Sequence, residues 1–79
     1  MDFVPFVQYC VEKLVEVPDA VEVEKATDGG DSQIRIRVAP DDTGKVIGRS
    51  GRIIGAMRQV VNVASAKHGE QVYLKVVTD

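Results

Sequence analysis

From Asp2 to Val17 the apolar residues Phe3, Phe6, Val7, Cys10, Val11, Leu14 and Val15 recur at intervals of three and four, which predicts one helix with a single buried stripe. Asp2 stands where its carboxylate can cap that helix, Pro5 falls in the first turn, where a missing N–H costs little, and Pro18 lies just past the end. Cys10, Phe3 and Phe6 all lie on the stripe and read as core. After Pro18 the period switches to two. Val21 and Val23 alternate with Glu22 and Glu24, then Ile34, Ile36 and Val38 alternate with Arg35 and Arg37, the pattern of two half-buried strands. Asp28-Gly29-Gly30-Asp31 between them reads as a tight hairpin turn with glycines at positive φ. The outward rows have opposite signs, so Glu22 and Glu24 can pair with Arg35 and Arg37 across the hairpin.

Ala39-Pro40 ends the second strand, and Asp41 or Asp42 can cap a short helix through about Ile47. A long periodic segment from Arg52 to His68 follows, with Ile53, Ile54, Met57, Val60, Val61 and Ala64 as its stripe. Gly69 stops it, and Lys67 and His68 suit the negative end of the helix dipole in the last turn. Val72, Leu74 and Val76 alternate with Tyr73 and Lys75, a third strand. The order is α-β-β-α-α-β, an α+β fold. Gly55 costs the second long helix about 1 kcal/mol relative to alanine. It calls for a close helix approach, within the domain or to a second chain, with Val60 and Val63 partly at that contact.

The chain has 79 residues, which leaves room for one domain spanning 1–79 and one modest core. With 44% hydrophobic and 28% charged residues the composition is globular rather than disordered. Apolar runs are far shorter than the ~20 residues of a membrane span. Cys10 is the single cysteine, so no intramolecular disulfide forms and a reducing compartment, the cytoplasm, is expected. One Cys and one His cannot build a structural zinc site, and neither metal nor cofactor is expected.

Charge changes the picture more. The net charge of −2 conceals a segment, residues 43–69, that holds five bases and no acid. Such a stretch in an acidic chain is where an anionic partner would bind. Inside it lies Gly44-Lys45-Val46-Ile47-Gly48-Arg49-Ser50-Gly51-Arg52-Ile53-Ile54, joining the two later helices. Two glycines three apart permit a tight turn that starts the next helix at once. Without Cβ atoms at Gly48 and Gly51 a sugar–phosphate backbone can approach the free N–H groups of that helix's first turn. Lys45, Arg49 and Arg52 surround the loop with positive charge, and Ile47, Ile53 and Ile54 either close the core or floor a groove beside it. Phosphatase or nucleotide-hydrolase chemistry is disfavoured. Gly44 does not begin a P-loop, no acid in 43–69 can hold a metal, and Ser50 has no neighbouring base.

Val46-Ile-Gly-Arg-Ser-Gly-Arg-Ile-Ile54 resembles the signature of the KH domain, in which a GXXG loop holds a few nucleotides of single-stranded nucleic acid. The element order is similar to the type II arrangement, which implies a three-stranded mixed sheet with the second and last strands parallel and helices on one face. The Val-Ala-Pro-Asp-Asp-x-Gly-Lys-Val-Ile-Gly stretch at 38–48 is closer still to the small stand-alone bacterial KH proteins of the KhpA (YlqC-like) family. That resemblance implies a non-catalytic RNA-binding protein, an RNA chaperone or post-transcriptional regulator linked to cell elongation and division. It also implies pairing with itself or with a larger KhpB-like (Jag/EloR) partner, and a competing reading makes such pairing the main role.

Carried over by position, Gly48, Arg49, Ser50 and Gly51 become the phosphate clamp, flanked by Lys45 and Arg52. Ile47 and Ile54 would border the base groove, with Arg37 and Val38 as its opposite wall. Arg58, two turns on, reads as a solvated side chain or as a contact for a longer strand. With no Trp, and Tyr73 as the one aromatic expected to face away from the core, stacking platforms are scarce and binding per domain is expected to be weak.

Overall fold

The computed structural model describes residues 2–28 and 31–77. The expected order appears: α1 (Val4–Leu14), β1 (Glu22–Asp28), β2 (Asp31–Arg37), α2 (Thr43–Ile47), α3 (Arg52–Lys67) and β3 (Val72–Val76). Short 3-10 turns at Pro18–Ala20 and Pro40–Asp42 lead into β1 and α2. The strands form one sheet in the order β1-β2-β3. β1 and β2 are antiparallel, with Glu22 opposite Arg37 and Glu24 opposite Arg35, and β2 and β3 are parallel, with Ile34 opposite Leu74. The opposite-sign rows are therefore in register, but the expected pairing of Arg35 with a glutamate is corrected: its Nε donates to Gln33 Oε1 at 3.0 Å on its own strand. The Gly29-Gly30 turn lies outside the described residues.

Alternation along the strands decides the layering. Ile34, Ile36, Val72 and Leu74 are buried while Arg35, Arg37, Tyr73 and Lys75 are exposed, so one sheet face carries the helices and the other is open. Phe3, Val7 and Val11 of the α1 segment, Val46 of α2, and Ile54, Met57 and Val61 of α3 complete the core. Asp2 stands one residue before the N-cap, which is Phe3, yet its carboxylate still accepts the N–H of Val4, the first residue of α1, at 3.0 Å. Gly69 stops α3 in the left-handed region (φ 69°), and the Glu70 N–H returns to the Ser65 carbonyl at 3.0 Å.

Several side chains depart from the spacing argument. The buried face of α1 is narrower than its apolar spacing implies, so Phe6 is exposed and Cys10 only half-buried. Tyr9 and Phe6 join Tyr73 as exposed aromatics, so Tyr73 is not the one outward-facing ring. On α3 the buried stripe runs Ile54, Met57, Val61, Ser65, and Val60 stands outside it. Ser65 tolerates burial because its hydroxyl donates to the Asn62 carbonyl at 3.2 Å.

Candidate nucleic-acid interface

The Gly48–Gly51 loop is built from unusual backbone. Gly48 (φ 79°, ψ 173°) lies in a region open essentially to glycine, and Ser50 (φ 58°) and Gly51 (φ 72°) are left-handed. Ser50 is the one non-glycine with positive φ among the described residues. Gly48 also meets a steric demand: a Cβ there would lie 2.6 Å from Cγ1 of Ile53. At Gly51 the Cβ position is open, so only φ calls for glycine. The Gly51 N–H donates to the Gly48 carbonyl at 3.2 Å, and Gly51 is the N-cap of α3 with no side-chain cap. The Arg52 N–H, the first of this 16-residue helix, closes the turn on the Arg49 carbonyl, and the N–H groups that follow it in the first turn open toward the loop.

Arg49 and Arg52 are exposed at either end of this turn, with no side-chain partner among the described residues. Lys45 is placed differently. Its Nζ lies 3.3 Å from Asp42 Oδ1 and 3.3 Å from Glu16 Oε1. Asp42, 2% exposed, also accepts the N–H groups of Glu16 at 3.2 Å and Val17 at 3.1 Å. The expected role of Asp41 or Asp42 as side-chain cap of α2 is therefore corrected: no side chain caps that helix, Asp41 is exposed, and Asp42 reaches back to the end of α1. Burial opposes the Asp42 charge, but the two backbone donors and the Lys45 ammonium outweigh it and hold the carboxyl below its ordinary value. Hydrogen bonds to Asp42, then to Glu16, hold Lys45 above its own. The acid three residues before Lys45 was the available signal; its long-range partners had none.

Of the other expected site residues, Ile47 is half-buried beside the loop and can border a groove, whereas Ile54, 4% exposed, is core. Arg37 lies on the open face of the sheet, away from the helix layer that carries the loop, while Val38 packs against the core. Arg58 is not simply solvated, since its Nε donates to the Leu74 carbonyl at 3.2 Å and ties α3 to β3. A Cβ at Gly55 would meet nothing within 4 Å, so no close helix approach inside the domain accounts for that glycine. Among the described residues there is no metal-ligating cluster of His, Cys, Asp and Glu, and no helix is long and apolar enough to cross a membrane.

A family model described as KhpA/KhpB, KH domain, matches residues 5–76. The RNA-binding protein KhpA of Halalkalibacterium halodurans is 41% identical over 71 residues, 90% of this chain and 93% of that protein. Its namesake in Clostridium acetobutylicum is 38% identical over 66 residues, 84% and 88% of the two chains. That of Caldanaerobacter subterraneus is 39% identical over 71 residues, 90% and 95%.

Proposed function

The chain belongs to the KhpA/KhpB family of KH domains, a non-catalytic kind of protein, and from that premise we propose that it binds single-stranded RNA at the Gly48–Gly51 loop. The observation that carries this reading is the loop itself. Glycine backbone and a left-handed serine bring uncapped α3 N–H groups to the surface between two unpartnered arginines, in a segment with no acid. Phosphates would sit against the N–H groups that the turn leaves free, those of Gly51 and Arg52 being spent on the Gly48 and Arg49 carbonyls, with the Arg49 and Arg52 side chains on either side. Ile47 would border the adjoining bases. The cellular role we attach to this binding is RNA chaperoning or post-transcriptional control tied to elongation and division.

Titrating the ¹⁵N-labelled protein with a pool of short single-stranded RNA tests it. Amide shifts concentrated at residues 44–54, weakened by salt and abolished by Arg49→Asp with Ser50→Asp, are expected. Unmoved loop amides in a well-dispersed spectrum would overturn it.

A second reading is supported by surface outside the loop. Gly55 has open space around it, Val60 and Val63 are 54% and 64% exposed, and a groove of about 510 Å³ runs between α1 and α3. Tyr9, Cys10 and Leu14 line it on one side and Ile53, Ala56 and Met57 on the other, with the side chains of Lys13 and Arg52 also at its wall. Apolar surface of this kind fits pairing, with a second copy or a larger KhpB-like protein. Pairing would set two weak RNA sites on one particle and raise avidity with no new base contact.

A further inference from the structure

We propose that Lys45 is a positioning residue rather than a phosphate ligand: clasped by buried Asp42 and by Glu16, it fixes α2, and with it the Gly48–Gly51 loop, against the end of α1. The inference rests on the RNA-binding reading of that loop.

The five residues of α2 are too few to hold a helix in place by themselves. Two ties anchor it. Val46 is fully buried, and Asp42, at the residue before the helix, uses both carboxylate oxygens on the α1 end: Oδ1 accepts from the Glu16 N–H, Oδ2 from the Val17 N–H. Lys45 completes this knot from within α2. The helix then runs directly into the loop, where the Gly48 N–H donates to the Gly44 carbonyl at 2.9 Å. Any displacement of α2 therefore carries Gly48 with it.

Electrostatics point the same way. Two carboxylates surround one ammonium, so the trio of Asp42, Glu16 and Lys45 is net negative. Two of the ammonium's three donors are engaged. The Glu16 carboxylate, on a side chain 78% exposed, lies 3.3 Å from the Nζ of Lys45, whose side chain is 43% exposed. A phosphate approaching Lys45 meets that carboxylate, whereas at Arg49 and Arg52 it meets unopposed charge.

The test measures affinity for a fluorescein-labelled random 12-mer RNA against KCl concentration, for the unaltered protein, Arg49→Ala, Lys45→Met, Lys45→Arg and Glu16→Gln. Each lost phosphate contact on a single strand flattens the log–log salt slope by about 0.7. Arg49→Ala is expected to show that loss. Lys45→Met should weaken binding roughly threefold to tenfold at unchanged slope, and should shift the amides of residues 48–51 without RNA. Lys45→Arg should restore both. Glu16→Gln removes the more exposed of the two ties while Asp42 still holds Lys45, so it should leave the slope unchanged and alter affinity no more than about twofold. A flattened slope in Lys45→Met with unmoved loop amides overturns the proposal, as does tighter binding with a steeper slope in Glu16→Gln. If Arg49→Ala also leaves binding untouched, the RNA-binding reading has failed instead, and the loop amides of RNA-free Lys45→Met still decide the positioning role. Should Lys45→Met fail to fold, Lys45→Gln, which keeps a donor for Asp42 without the charge, takes its place with the same slope and amide readouts.

Discussion

Replacing Gly48 by alanine should cost far more than the same change at Gly51, although both stand in one four-residue loop. At Gly48 the backbone sits at φ 79°, ψ 173°, where a side chain costs about 1–3 kcal/mol. The added Cβ would also lie 2.6 Å from Ile53 Cγ1 and 3.0 Å from its Cβ and Cδ1. Ile53 packs against the core, so it cannot simply swing aside, and overpacking of that kind adds about 1–3 kcal/mol. The total, about 2–6 kcal/mol, is a large part of what a small domain has. At Gly51 (φ 72°, ψ 19°) the Cβ site is empty and only the left-handed penalty of about 1–2 kcal/mol applies. Urea unfolding followed by circular dichroism measures both, provided the m-value is unchanged. A double-mutant cycle with Ile53→Ala, which removes Cγ1 and Cδ1, should recover part of the Gly48→Ala loss and none of the Gly51→Ala loss. Equal costs at the two glycines, or no coupling to Ile53, would refute the reasoning.

Ser50→Gly should stabilise the domain by about 0.5–1 kcal/mol, because release from a left-handed serine exceeds glycine's greater unfolded entropy, and a urea titration checks it. The Asp42 knot gives stability a pH signature at both extremes. Asp42, held below its ordinary 3.8, contributes stability present above that value and lost as pH falls through the depressed one. Lys45, held above 10.5, contributes stability present below that value and lost as pH rises through the raised one. Asp42→Asn should therefore flatten the acid limb of the urea midpoint against pH and Lys45→Met the alkaline limb. Val63→Asp, on a side chain 64% exposed, should change monomer stability by no more than about 0.5 kcal/mol, and under the pairing reading it should abolish association in sedimentation velocity.

The elements were legible because periodicity reports local geometry. Val7 and Val11, Ile34 and Ile36, Met57 and Val61 all land in the core where spacings of four and two placed them. Exposure at Phe6 and Val60 was not legible, since an apolar residue one step from the buried stripe has the same spacing as one on it. The width of a stripe depends on what packs against it. The loop was legible as a glycine motif, but the left-handed conformation of Ser50 was not, because serine carries no local preference for it. Asp42 was misread for a related reason: beside a helix start, an acid is most simply a cap. Its actual donors, at Glu16 and Val17, lie more than twenty positions away and become neighbours only once α1 and α2 pack.

The same packing changes what the acid-free segment can offer a nucleic acid. Of its five cations, Lys45 is compensated by Asp42 and Glu16, the Arg58 guanidinium is tied to a β3 carbonyl, and Lys67 sits in the last turn of α3, at the far end from the loop. Arg49 and Arg52 remain beside the loop. Two phosphate contacts on a single strand imply a salt slope of about −1.4, so affinity should fall about sevenfold between 50 and 200 mM salt. A paired particle engaging one RNA at both loops would double the slope, and the same change in salt would cost about 50-fold. Anisotropy titrations with a short RNA that fits one loop and a longer one that spans two separate the cases. A slope near −3 or steeper for the short RNA would show that cations beyond the two arginines, Arg35 or Lys75 on the open sheet face among them, carry the binding, and the loop would lose its place as the electrostatic centre of the site.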